Sequence, residues 1–358
     1  MHRRNFLQLS ALTALAPAAQ AATTAKRKVK IGQIGTGHAH AGGKMDGLRR
    51  LNDEFEVVGI VESDPERRRL AERQGVYRGL RWLTEEQLLN TPGLEAVVVE
   101  TVVKDLVPTA AKCIAAGLHI HLDKPAGESL PAFKAVLDDA TRRGRCVQMG
   151  FMFRHNPAFR LCFQAVREGW LGEVFELHGV IASGYKPPQR QPLLPYRGGT
   201  MFELGCHLID AAVTVLGKPQ RVTGYARRVH PEWDALADNQ LAVLEYAKAT
   251  ATIRSSLVEV QAGRRRQFVV CGTEGTIDIR PLEPPAVEVT LSTPRGPFVK
   301  GTQQVPMPKM SGRYDDHLRE LARIVRGEKQ PEYGPEHDLA VHEAVLRAAG
   351  LARDGRGG

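Results

Sequence analysis

The sequence predicts a two-part α/β protein, a parallel-sheet unit followed by a mostly antiparallel one, and three observations carry this reading. Between residues 27 and 147, short apolar runs of buried-strand type alternate with helical patterns. The earliest run, Val29 to Ile34, ends in Gly35-Thr36-Gly37, a turn that leads a parallel strand into a helix. Beyond residue 150 the strand-like segments alternate in polarity and are joined by short turns, the pattern of an antiparallel sheet with one covered face.

Taken in order, residues 1–21 stand apart from the fold. Arg3-Arg4 precede Phe6-Leu7, a modest apolar core runs from Leu9 to Ala16, and Ala19-Gln20-Ala21 is a small-residue cleavage site. This reads as a twin-arginine export signal and predicts a periplasmic or otherwise exported protein. The core is too short to span a bilayer, so no integral membrane segment is expected in the mature chain. Loss of the two arginines takes the formal charge from +9 to +7.

Residues 27–147 form the first unit. Gly35 permits the tight turn, Gly37 lets the backbone approach a pyrophosphate, and the following helix offers free N–H groups and a partial positive charge. His40 occupies the third small position of the pattern. The second strand, Phe55 to Val61, ends at Glu62, where an acid accepts from ribose hydroxyls and repels a ribose phosphate, favouring NAD over NADP. A third strand, Leu94 to Glu100, opens into the loop Thr101 to Lys104, and His119 to Leu122 runs directly into Asp123-Lys124-Pro125. A lysine fixed by proline at a strand's carboxyl edge is held where a ligand in the crevice meets it. The nucleotide is therefore expected against Gly35, Thr36, Gly37, His38, His40, Glu62, Thr101, Asp123 and Lys124. A helix over 130–142 and a strand over 145–150 close the unit.

Residues 148–335 form the second unit. Asn156 and Pro157 cap and open a helix that runs to about Glu168. Strands are expected over 174–181, 221–226, 240–246, 249–258, 266–271, 276–279 and 286–291, and helices over 314–326 and 336–351. The C-terminal segment 336–358 is expected to pack back on an earlier domain. Between the first two strands lies a proline-stiffened insertion, Tyr185 to Arg197, followed by Gly198-Gly199 and a helix carrying Glu203, His207 and Asp210. The spacings of four and three residues place these side chains on one helical face, a general acid/base constellation if it meets Lys124. As an ordinary helix pair it would carry no chemistry.

Composition narrows the classes. The chain of 358 residues is 42% hydrophobic and 25% charged, enough for two globular domains. Its basic runs are scattered, which excludes a nucleic-acid groove. The cysteines at 113, 146, 162, 206 and 271 form no CxxC pair, and no disulfide scaffold is expected. His38 and His40 lack a nearby third ligand, so no metal is expected.

With these motifs in hand, the chain resembles the Gfo/Idh/MocA oxidoreductase family over essentially all of the mature sequence. The resemblance rests on Gly35-Thr36-Gly37-His38, Asp123-Lys124-Pro125 in place of the usual Glu-Lys-Pro, Gly150 with Arg154 to Pro157, and Gly198-Gly199. It continues through the Glu203 to His207 spacing, Asp210, Asp238-Asn239 and Gly272-Thr-Glu-Gly275. It implies an N-terminal Rossmann domain and a C-terminal α/β domain with an open, mostly antiparallel sheet, often used to form homo-oligomers. Lys124 matches the family's catalytic lysine and His207 its proton-transfer histidine. Glu203 stands where many members carry Asp, and Asp210 matches another recurrent acid.

The implied activity is NAD-dependent hydride transfer at a carbohydrate hydroxyl. The substrate-contact candidates are Arg154, His155, Tyr185, Tyr196 and Arg197. Export of already folded protein implies a tightly held cofactor. Two alternatives stay open: a redox-neutral NAD-dependent glycoside hydrolase or lyase acting through a transient keto-sugar, and a non-catalytic protein that binds a glycan or nucleotide.

Overall fold

The computed structural model describes residues 26–352, so the export signal expected over 1–21 lies outside the described residues. The first domain is a five-stranded parallel sheet of β1 (Val29–Ile34), β2 (Phe55–Val61), β3 (Ala96–Val99), β4 (His119–Leu122) and β5 (Val147–Met149). It is interleaved with α1 (Ala41–Arg50), α2 (Pro65–Glu72), α3 (Glu85–Leu89), α4 (Val103–Ala115) and α5 (Leu130–Arg142). The order β2-β1-β3-β4-β5 reverses between β1 and β3, and that switch point is where such sheets bind ligands. Helix boundaries follow local chemistry: the Asp64 side chain accepts the N–H groups of Glu66 and Arg67 ahead of Pro65-led α2, and Ser129 caps α5.

Register builds the site. Ile34 pairs with Val99, and Val99 with Leu122, so the next residues along each strand, Gly35, Glu100 and Asp123, emerge side by side at the carboxyl edge. Gly35 adopts φ +93, and a Cβ there would lie 2.5 Å from the Thr101 backbone N, so only glycine fits the turn. On the far side, a Cβ at Gly150 would lie 2.7 Å from Asp123 Oδ1.

After α6 (Pro157–Arg167), the second domain is an eight-stranded sheet in the order β13-β12-β11-β10-β6-β9-β8-β7. Its strands are β6 (Val174–Ala182), β7 (Arg221–Arg227), β8 (Asn239–Glu245), β9 (Thr250–Ser256), β10 (Gln267–Gly272), β11 (Gly275–Leu282), β12 (Pro285–Leu291) and β13 (Gly301–Val305). Only the central β6–β9 pair is parallel. The edge strand β13 lies in a stretch whose prolines hide its pattern. Burial alternates along β8, with Gln240, Ala242 and Leu244 inward. That inner face is covered by α8 (Cys206–Leu216), whose Leu208 lies over Gly179 of β6. The insertion before α8 carries a short helix, α7 (Pro187–Arg190), tied down by Arg190 on Asp234 and Asp238. After the second sheet come α9 (Asp315–Val325) beside α1 and α10 (Pro335–Ala348) against α5 and α8. No helix of the described residues is long and apolar enough to cross a membrane.

Arg154, expected from the sequence to contact substrate, serves this architecture instead. It is 2% exposed, donates from Nε and Nη2 to Asp210 on α8 at 2.7–3.1 Å, and reaches Asp338 on α10 at 2.6 Å. The guanidinium fork matches a carboxylate, and burial makes both acids depend on it. Asp210 is thereby engaged as a structural anion. Replacing Arg154 with Ala leaves two buried carboxylates without their guanidinium, Asp210 keeping the long contact to His337, and is expected to cost about 3–5 kcal/mol in urea unfolding. A rise in KM with an unchanged unfolding midpoint would instead restore Arg154 as a substrate contact.

Candidate active site

The site is built where the carboxyl edge of the parallel sheet meets the start of α8. Lys124 leaves β4 with its side chain 1% exposed, and its Nζ donates to the Glu203 backbone carbonyl at 2.8 Å and to Glu203 Oε1 at 3.0 Å. Burial disfavours the charge, but Glu203, with smaller contributions from Cys206 and Asp123, outweighs it and holds Lys124 above the ordinary lysine range. Lys124 is therefore an ammonium at neutral pH.

His207 is 2% exposed and sits among His40, Phe151 and Phe153, with ring centroids 6.2, 6.0 and 5.7 Å away. Burial, followed by the charge on Lys124, drives its pKa well below the ordinary histidine value. It is a neutral imidazole across the physiological range. Its Nδ1 has no hydrogen-bond partner, and neither does Glu203 Oε2. Unpaired buried polar atoms cost about 1–3 kcal/mol each, so two beside an ammonium mark a place built for a polar ligand.

The sequence placed Glu203, His207 and Asp210 on one helical face as an acid/base constellation, and the structure corrects the shared face. Residues Met201–Gly205 form a turn of π-helix, which breaks the α-helical spacing between Glu203 and His207. Glu203 turns to Lys124, Asp210 to Arg154, and His207 has no carboxylate on Nδ1.

Around the dinucleotide turn, a cavity of about 550 Å³ is lined by Gly35, Glu62, Ser63, Arg67, Thr101 and Val102 among others. Glu62 Oε2 accepts the Thr36 N–H and hydroxyl, both at 2.8 Å, and Oε1 accepts the Asp64 N–H at 3.0 Å. The acid is thus fixed at the cavity wall. A Cβ at Gly37 would lie 2.8 Å from Val102 Cγ1, which keeps this turn close to the loop after β3. These residues fit the adenosine and phosphate portions of a dinucleotide.

His38, His40 and Asp123 sit deeper than the sequence suggested. His38 Nε2 bonds the Lys124 carbonyl oxygen at 2.9 Å, and His40 Nδ1 lies 3.1–3.2 Å from both Asp123 oxygens. Burial drives His40 down to about 4 against the opposing pull of Asp123. The third ligand-type group that His38 and His40 lack locally is Asp123, 83 residues beyond His40. Sequence reasoning missed Lys44, Glu100 and His121, which complete this buried cluster: Lys44 Nζ lies 3.3 Å from Glu100 and Asp123 and 2.5 Å from His121 Nε2. The available signals were a lysine four residues after His40 on the inward face of α1 and an acid closing an all-apolar strand.

The remaining substrate candidates separate. Tyr196 hydrogen-bonds the Val103 backbone close enough to Lys124 and Glu203 to feel both charges. Tyr185 lines a groove of about 840 Å³ with Trp233, Arg266 and Glu283, and Arg266 lies within electrostatic reach of Arg313, itself near His207. Arg197 is on the surface, paired with Glu128, and His155 is bonded to Glu320 beside His317. Those last two are not part of the Lys124 site.

Comparison with known proteins bears on the family and fold of both domains. Residues 29–151 match the oxidoreductase family with a NAD-binding Rossmann fold, and residues 159–278 match the GFO/IDH/MocA C-terminal domain. An uncharacterised oxidoreductase, ORF334 of Rhizobium meliloti, is 30% identical over 54% of this chain and 58% of its own length. The scyllo-inositol 2-dehydrogenase (NADP(+)) IolW of Bacillus subtilis is 24% identical over 84% of this chain and 88% of its own. The solved aldose-aldose oxidoreductase from Caulobacter crescentus superposes with a TM-score of 0.75 at 20% identity, covering 91% of this chain and 99% of that one, a likeness of fold. Together the two domain matches take in more than half of the sequence, and the chain belongs to the Gfo/Idh/MocA oxidoreductases.

Proposed function

We propose that this oxidoreductase oxidises a hydroxyl of a sugar or polyol with a tightly held NAD, and that it works after export by the twin-arginine route. The observation that carries the reading is the Lys124 ammonium, buried against Glu203 next to a neutral His207 just beyond the carboxyl edge of the parallel sheet. Bound nicotinamide supplies the hydride acceptor. The rest is done by the chain. Gly35, Thr36 and Gly37 hold the phosphates, and Glu62 takes the ribose hydroxyls and disfavours a phosphate there. His207 removes the hydroxyl proton while the carbon gives up hydride, and Lys124 stabilises charge on the oxygen that becomes a carbonyl. Glu203 keeps Lys124 charged. Tyr196 closes the site beside that pair, and Tyr185 borders the groove through which a longer substrate would extend. The second domain's outer sheet face, where Phe175 is 48% and Tyr225 52% exposed, suits assembly of like subunits.

The test is mass and absorbance analysis of protein purified without added nucleotide, followed by anaerobic addition of a sugar and glycoside panel. Bound NAD reduced by a sugar is the expected result, and product analysis then separates oxidation from glycoside cleavage. Protein that carries no nucleotide and fails to bind added NAD would move the reading to a non-catalytic binding role. His207→Ala is expected to lower kcat by about 10²–10⁴ with nucleotide occupancy unchanged. Glu62→Ala is expected to narrow the preference for NAD over NADP by roughly tenfold, read from the two dissociation constants.

A further inference from the structure

The groove of about 840 Å³ that Tyr185 borders holds a guanidinium with donors to spare and no anion. Arg266 stands at the head of β10, half-buried, where Nε donates to the Ala182 carbonyl at 2.8 Å and Nη2 to the Ser183 hydroxyl at 2.9 Å. Those bonds use the Nε–Nη2 side of the planar group and leave its Nη1–Nη2 end open. Among the described residues no carboxylate oxygen lies within 4.0 Å of it. Burial pulls Arg266 below the ordinary arginine value; Glu283 and Tyr185 oppose this, and Arg313 adds to it. The group stays a cation, one that has given up water without gaining a counter-charge.

The carboxylates of the groove are committed elsewhere. Glu283 forks onto Arg313, and Glu259 onto Arg265 at 2.7 and 2.8 Å. Lys186 and Arg264, also in the lining, have no carboxylate partner among the described residues. The groove therefore carries excess positive charge beside Ser183, Tyr185 and Gln261, whose hydroxyl and amide groups can meet the hydroxyls of a sugar. The backbone holds this arrangement in place. Gln261 opens the turn Ala262–Arg265 at φ 51 and ψ 37, a left-handed conformation that residues other than glycine seldom adopt, and the turn delivers Arg266 to β10. A Cβ at Gly184 would lie 2.8 Å from the Glu259 carbonyl oxygen, so glycine there lets the two walls approach.

We infer that this groove seats a uronate unit of the carbohydrate substrate, its carboxylate received by the open end of the Arg266 guanidinium. Two parallel N–H···O bonds to a carboxylate are a geometry that a guanidinium offers and an ammonium does not. The groove approaches the reaction centre through Glu283 and its partner Arg313, which is close enough to His207 to act on its charge. The acid then lies on the substrate beyond the hydroxyl that is oxidised. What becomes of the bound sugar rests on the oxidation proposed for the Lys124 site; how it is held rests on the groove alone.

The experiment is calorimetric titration of the full chain, saturated with NAD, with the methyl glycosides of glucuronate and galacturonate and with those of the matching neutral hexoses. At least one uronide is expected to bind roughly tenfold or more tighter than its neutral counterpart, and folded Arg266→Gln to lose that preference. Absorbance of the bound nucleotide in the same samples reports oxidation separately: a uronide that binds without reducing NAD supports the groove and counts against the oxidation proposed for the Lys124 site. Should Arg266→Gln fail to fold, phenylglyoxal labelling of the natural chain, read by peptide mass spectrometry, takes its place, with the uronide and not the neutral glycoside shielding Arg266. Equal affinities, no binding of either class, a preference that survives in folded Arg266→Gln, or no shielding would overturn the assignment.

Discussion

The ammonium of Lys124 is out of water, on a strand of one domain, and the group that compensates it comes from the other. Burying such a charge carries a penalty of several kcal/mol, repaid only by a well-placed partner and further hydrogen bonds. Glu203 supplies both, through its carboxylate at 3.0 Å and its backbone carbonyl at 2.8 Å. The π-turn at Met201–Gly205 matters for this reason: it aims residue 203 at Lys124 and leaves His207 on the following α-helix without a carboxylate. One positive charge is thereby held beside one neutral base, and the same charge helps keep that base neutral.

The two domains are brought to this point by different devices. In the first, strand register alone aligns Gly35, Glu100 and Asp123 at the carboxyl edge. In the second, Arg154 bridges Asp210 and Asp338 and pins the start of the domain to α8 and α10, while Asp238 anchors the insertion that delivers Tyr196. Charge pairs away from the candidate site fix the position of the Lys124–Glu203 pair.

Much of this was readable from the residues. The parallel strands were legible because both faces are buried and the apolar runs are nearly continuous, and the β-rich second domain because burial alternates along strands such as β8. Lys124, His207 and the turn at Gly35 were legible because motif spacing places them. The direction of side chains was not. Arg154 and His155 follow the crevice strand directly, yet they turn to Asp210 and Glu320, acids distant in sequence. The acidic face of α8 was misread because an α-helical period was carried through a π-turn. The cluster around Asp123 was out of reach because its members come from three segments distant in sequence that the fold unites.

The central claim is that Glu203 keeps Lys124 protonated inside the site. The most direct measurement is the pH dependence of kcat/KM for the natural chain and for Glu203→Gln, both with bound nucleotide and confirmed fold. With the carboxylate present, the lysine pKa is raised and the rate should not fall with rising pH through neutrality from loss of the Lys124 proton. Without it, burial is opposed by the smaller pull of Cys206 and Asp123, so that pKa falls and an alkaline limb should move toward neutral pH. Superimposable profiles would contradict the account.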